Sequence, residues 1–317
     1  MIQRFVTCYK GMKTEQPVTF KHNQKDQEHM LIYKLIVTIL LGLTALLSFS
    51  KEIVLINRPV SDNDLRSNYP HELITAALEK TKNVYGEYQL DYAQKMQWER
   101  SKIMLQSGEF IHILQAATRP QWEKDLIPIR IPIMKGLLGN RIFLINKQSQ
   151  EQFSKINHVD ELKKLQAGLG QDWSITTIFK QNGFNIVTWG SYEGLFGMLK
   201  AGRFDYFPRG INEAPEEYQQ RKGTFPNLHI EQSLLLNLPL PVYFFVTPKK
   251  PQLALRVEQG LNIMIKDGSF DKIFYQYHQE ILDRFSISKR KIFNINNPNL
   301  TPETPLNRKE LWLDISN

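Results

Sequence analysis

From residue 52 onward, short β-rich apolar runs alternate with segments whose apolar residues recur at helical spacing, and this alternation constrains the fold most. EIVLIN (52–57) is followed by a predicted helix from about Pro70 to Lys82, then a second from about Trp98 to Ser107 closed by Gly108, then the strand-like FIHILQA. RIFLINK (141–147) is the next strand, after which the pattern starts again. HVDELKKLQ reads as a helix, AGLG as a strand, and DWSITTIFKQNG as a helix capped by Asp172 and ended by Gly183. NIVTW, a helix from Ser191 to Ala201 and FDYFPR complete that second unit. Within LPLPVYFFVTPKKP the prolines bracket a strand at 242–246, and Pro251 suits the first turn of a helix carrying Ala254, Val257, Leu261 and Met264 on one face. Gly268 ends that helix and Ser269 begins SFDKIFYQYHQEIL. Alternation of this kind predicts an α/β protein, each unit a mostly parallel sheet flanked by helices. The Asn/Pro-rich tail, 286–317, is expected to pack along the surface.

The first fifty residues have a different character. After Met30 and Lys34 the run LIVTILLGLTALLSF ends near Ser48 and Ser50, small residues spaced like a cleavage site. Residues 30–50 therefore read as a signal peptide, with 1–29 as an upstream extension or, alternatively, a coding start at Met30. The rival is a membrane anchor, because Leu31 to Phe49 approaches the roughly 20 apolar residues of a spanning helix. Lys34 shortens the unbroken run, and EIVLIN follows Ser50 with no linker, which favours export with cleavage. Cys8, the single cysteine, precedes the cleavage point, so the mature chain is expected to have neither a disulfide nor a thiol for lipid attachment. Of the formal charge of +8, the part beyond residue 50 carries +5. Its basic residues are scattered apart from short clusters such as KRK at 289–291, which gives no reason to expect a nucleic-acid partner.

SYEGLFGMLKAGRFDYFPRG, then PVYFFVTPK, then PQLALRVEQGLNIMIKDGSFDKIFYQY follow one another in an order similar to bacterial periplasmic solute-binding proteins of the type 2, family 3 kind, the receptors of polar amino-acid transporters. The resemblance covers about residues 51–285. It implies a two-lobed fold with two crossovers, one lobe formed by 51–140 plus 242–285 and the other by 146–238, with RIFLINK and LPLPVYFF as the passages between them. In such a fold the carboxyl ends of strands and amino ends of helices face a cleft that closes on the ligand. In the family, an acidic residue five positions after the Asp of the GRxD segment holds the ligand's α-amino group; here five after Asp205 is Gly210, beside Arg209. That substitution points towards an anionic ligand group.

The candidate site residues follow from these positions. Arg209, in FPRG, is placed where Pro208 and Gly210 would free the backbone and aim a guanidinium at a carboxylate or phosphate; the plainer alternative is a salt bridge to Glu213 or Glu216. Glu213 would receive a ligand amine, or else begin a solvated helix beside Pro215. Asp172 and Trp173 open the helix after AGLG, Asp172 as ligand contact or N-cap and Trp173 as cleft wall or core. Tyr192 opens the next helix beside Ser191, a cap. Arg119, in AATRPQW, is the anion contact expected from the first lobe, with Asn57 and Arg58 at the end of the first strand.

Metal and hydrolytic chemistry find little support. His71, His112, His158, His229 and His278 stand far apart without the i, i+4 pairing of a helical zinc site, and neither a Gly-rich phosphate loop nor a nucleophile elbow is recognisable. The expectation is a monomeric, soluble periplasmic receptor, without cofactor or catalysis, that brings a small polar, carboxylate-bearing, amino acid-like solute to an inner-membrane ABC transporter. The alternatives are an enzyme of the same fold, dehydratase-like, and a ligand-sensing module.

Overall fold

Why the chain makes two sheets rather than one is visible in where its strands pair. The computed structural model describes residues 29–36, 51–58, 67–94, 96, 98–285 and 289–314. Residues 29–36 are helical and exposed, and the rest of the expected signal peptide lies outside the described residues. Among the described residues no helix is long and apolar enough to cross a membrane. Strands follow the order β1 (Glu52–Ile56), β2 (Tyr88–Tyr92), β3 (Ile113–Ala117), β4 (Ile127–Ile129), β5 (Asn140–Asn146), β6 (Gln166–Gly170), β7 (Asn185–Trp189), β8 (Tyr206–Gly210), β9 (Leu228–Ile230), β10 (Leu234–Asn237), β11 (Val242–Val246) and β12 (Lys291–Asn294).

One sheet has the order β2-β1-β3-β11-β4; the other is β12-β10-β5-β8-β6-β7, with β9 paired to β5. β1 runs parallel to β2 and β3, while β11 is antiparallel to β3 and β4. In the second sheet β6 is parallel to β7 and β8, whereas β5 is antiparallel to β8, β9 and β10. The antiparallel pairs fall on β5 and β11, the strands that arrive directly from the other lobe. Such a strand has no crossover helix to set its direction, so it need not run parallel to its neighbours. The chain thus has the expected α/β architecture of two helix-flanked sheets.

Apolar runs on the strands fill the core on both sides. β5 is buried along almost its whole length, and Ile142, Phe143, Leu144 and Ile145 are inaccessible to solvent. A central strand covered on both faces reads as a continuous hydrophobic run. In the first lobe, helix Pro251–Asp267 crosses helix Asn68–Lys80 at Gly260, where a Cβ would stand 2.1 Å from the Ala77 carbonyl oxygen. Glycine is needed there for backbone approach. Gly260→Ala is expected to force the helices apart and cost about 1–3 kcal/mol, as overpacking does, read as a lower urea midpoint at unchanged slope.

The tail runs along the surface as expected, but with regular structure that the sequence did not announce. β12 adds a parallel edge strand to β10, and Lys291 Nζ donates to the Ile156 carbonyl at 2.9 Å and to Asn157 Oδ1 at 2.7 Å. Further on, Asn297 Nδ2 donates to the Pro239 carbonyl (2.8 Å), Thr301 Oγ1 to Glu123 Oε2 (2.9 Å) and the Leu313 amide to the Lys135 carbonyl (2.8 Å). Trp312 lies against Gly136, which leaves no room for a side chain at that position. To the two passages between sheets the structure adds a third, and the tail is tied to residues beside both.

Candidate functional site

Where the two sheets face each other, a cleft of about 580 Å³ opens at the carboxyl ends of their parallel strands and the amino ends of β5 and β11. From the first sheet come Asn57 and Arg58 after β1, Gln115 to Ala117 of β3, and Arg119 beyond it. The second contributes Arg141 of β5, Trp173 after β6, Tyr192 at the start of helix Tyr192–Lys200, Arg209 of β8, and the Asn212–Glu213 turn. This is where open α/β sheets bind ligands, because side chains there diverge from the sheet instead of packing into it.

Arg209 is almost wholly buried, and its guanidinium is held by protein carboxylates. Its Nε donates to Glu217 Oε2 at 2.7 Å and its Nη2 to Glu217 Oε1 at 2.6 Å, a bidentate pair, while Glu213 Oε1 lies 3.1 Å from Nη2. Tyr192 donates its hydroxyl to Glu217 Oε1 at 2.8 Å. Burial alone would push the Arg209 pKa down, but Glu213 and Glu217 hold it above the usual arginine value. The guanidinium stacks 4.6 Å from the Trp173 ring centre and 5.1 Å from that of Phe207, and those two rings stack on each other at 14°. Gly170 makes room for this arrangement, since a Cβ there would come within 2.3 Å of the Trp173 indole.

Sequence reasoning located Arg209 on the cleft wall but missed its main partner. Of the two salt-bridge partners that the sequence offers, Glu213 is one, but in place of Glu216 helix Ala214–Arg221 turns Glu217 inward on the face it shares with Ala214, and Glu216 accepts from Gln220. Nor does β8 release its backbone at Pro208 and Gly210. The ladder with β5 continues through both, as Phe143↔Pro208 and Arg141↔Gly210. Glu213 is likewise engaged: its Oε2 accepts from the Gly210 amide at 2.8 Å and from Arg141 Nη1 at 3.1 Å.

Arg141 is the cleft residue that the pattern did not reveal, because an arginine opening an apolar strand reads as its solvent-facing end. It is buried, lines the cleft, and its Nε has no hydrogen-bond partner. Burial pushes its pKa down to about 10, against the pull of Glu213, so it stays charged at neutral pH. Across the cleft, Arg119 Nε donates to Ser174 Oγ at 3.1 Å and its Nη2 to the Asp172 carbonyl, linking the two walls. Asp172 itself is exposed and does not line the cleft; the N-cap of helix Ser174–Gln181 is Trp173, one residue later than expected. Ser191 does cap its helix, accepting from the Gly194 amide at 3.2 Å. Arg58 is exposed and Asn57 half-buried at the cleft margin. Among the described residues no group of three or more His, Cys, Asp or Glu is placed to hold a metal ion.

No family model matches the sequence, and no curated protein matches it. Solved structures do match in shape. An ancestral arginine-binding protein bound to glutamine superposes with a TM-score of 0.53 at 16% identity, covering 72% of this chain and 98% of that one. A Salmonella typhimurium periplasmic binding protein of high arginine specificity gives 0.50 at 12% identity, covering 71% and 99%. A structure concerning glutathione import via GshT and the cystine ABC importer TcyBC of Streptococcus mutans gives 0.50 at 14% identity, covering 72% and 95%. The chain therefore has the two-lobed periplasmic-binding-protein fold. The likeness is one of fold.

Proposed function

We propose that the protein is an exported solute-binding protein that captures a small polar solute bearing a carboxylate or other anionic group and delivers it to an ABC transporter. The observation that carries this reading is the charge of the cleft: Arg58, Arg119, Arg141 and Arg209 line it, against Glu213 as the one lining carboxylate among the described residues. A cluster of guanidiniums around a cleft is the arrangement that recognises carboxylate or phosphate. Shape likeness to proteins named for arginine binding and for an ABC importer supports transport as the setting. In this reading residues 51–140 with 242–285 and residues 146–238 are the two lobes that close on the solute. Residues 30–50 are the leader that sends the protein to the periplasm. Capture is favoured over catalysis because the Glu213 oxygens already receive three donors, from Arg141, Arg209 and the Gly210 amide.

The test is a melting series of the purified protein against organic acids, amino acids and amines. A ligand at 100 times its Kd adds about 2.7 kcal/mol of stability, a shift of several degrees. Arg141→Ala is expected to weaken the best acid at least tenfold while leaving Glu213 paired with Arg209. If no small molecule of the series moves the melting temperature, the capture reading is wrong.

A further inference from the structure

Resting on the capture reading, we infer that the cleft takes an organic anion with an apolar body and no ammonium group, and discriminates against the corresponding amino acid. An ammonium inside a cleft needs a carboxylate to replace its hydration. Among the described residues Glu213 is the only carboxylate that lines the space, and its two oxygens are engaged by Arg141, Arg209 and the Gly210 amide. Glu217, behind it, is saturated by the bidentate Arg209 and the Tyr192 hydroxyl. Counting both carboxylates against the four arginines leaves two positive charges in excess around the cavity. Among the described residues the remaining polar lining is neutral: the amides of Asn57, Gln115 and Asn212, the hydroxyls of Ser67, Ser174 and Tyr192, and the Trp173 indole. Among the described residues a ligand cation would meet like charge and no carboxylate free of an arginine, whereas a carboxylate gains from the positive excess.

The rest of the wall suits the ligand's body. Met134, Leu138, Trp173, Ile175, Leu240 and Val242 present apolar surface to the same cavity. A hydrocarbon or aromatic portion therefore removes apolar area from water on both sides of the contact. Its volume of about 580 Å³ falls in the range of roughly 300–1,000 Å³ typical of small-molecule sites.

Matched pairs differing only in the amino group isolate the point: 3-phenylpropanoate against L-phenylalanine, 4-methylpentanoate against L-leucine, and glutarate against L-glutamate. Calorimetric titration of the full chain near pH 7.5 is expected to show the acid binding at least tenfold more tightly than its amino acid in each pair that binds. An amino acid binding as tightly as its partner, or more so, overturns the inference and leaves capture intact. Silence from all six, in heat and in melting temperature, overturns the inference, and capture falls with it only if the wider series of acids, amino acids and amines is silent too. Glu213→Gln gives a second readout. Because Glu213 also holds Arg141 and Arg209, the readout is the ratio of the two affinities: if Glu213 is not an amine receptor, acid and amino acid shift together within each pair, and a fall of tenfold or more for the amino acid relative to its acid identifies Glu213 as an amine receptor and sinks the proposal.

Discussion

Glu217→Leu lowers the unfolding free energy by about 3–5 kcal/mol, because it leaves the buried Arg209 guanidinium without its bidentate partner. Glu213 stays within reach of Arg209, yet it already accepts from Arg141 and from the Gly210 amide, so it does not replace two bonds of 2.6 and 2.7 Å. Tyr192 also loses the acceptor of its hydroxyl. The double variant Arg209→Met, Glu217→Leu is expected to recover much of the loss. Its methionine would lie against Trp173 and Phe207, where the guanidinium now packs, and no unpaired charge would remain. Urea unfolding of the two variants and the parent measures this. A loss below about 1 kcal/mol for Glu217→Leu, the worth of an exposed pair, would show that the ion pair is not desolvated as the structure places it.

Acid is expected to unfold the protein through two buried histidines. His278 sits between Tyr69 and Phe274, and neither of its ring nitrogens has a hydrogen-bond partner; burial pushes its pKa down to about 4. His112 accepts the Leu55 amide on Nδ1 at 3.1 Å, a bond that the protonated ring cannot make. Burial, and then the Lys250 ammonium, put its pKa at about 4 as well. Both folded values lie below the unfolded one, so the unfolded chain takes up protons that the folded chain refuses. Stability is therefore full above about pH 6.5, declines as the pH falls towards 4, and levels off below that. Each histidine contributes about 3 kcal/mol to the decline. His278→Leu should make the curve between these limits shallower by that amount, and an unchanged slope would refute the role given to His278.

The fold was legible because its signals are local. EIVLIN, RIFLINK and VYFFV are runs of β-branched and aromatic residues, and the helix from Trp98 to Ser107 ends where Gly108 takes φ +72, as the sequence indicates. The site was legible by position more than by role. Arg209, Glu213, Trp173, Tyr192, Arg119, Asn57 and Arg58 follow strand ends or open helices, and that is why they meet at one cleft. Glu217 escaped notice because an acidic residue in APEEYQQR looks solvated until the helix is set against β8. β12 escaped notice because KIFN is only four residues long and lies among Asn and Pro, and what recruits it is the open edge of β10.

What the sequence determined by itself is the alternation of elements and hence the α/β class, since the period of apolar residues depends only on neighbours along the chain. The tertiary structure decided which charges are spent on one another. Arg209 and Glu217 are eight residues apart, Arg141 and Glu213 seventy-two, and only the antiparallel register of β5 against β8 brings the four into one buried cluster. The four balance one another, so the positive excess of the described lining comes from Arg58 and Arg119; pairing is set by distance in space and by desolvation, and neither is written in the order of residues.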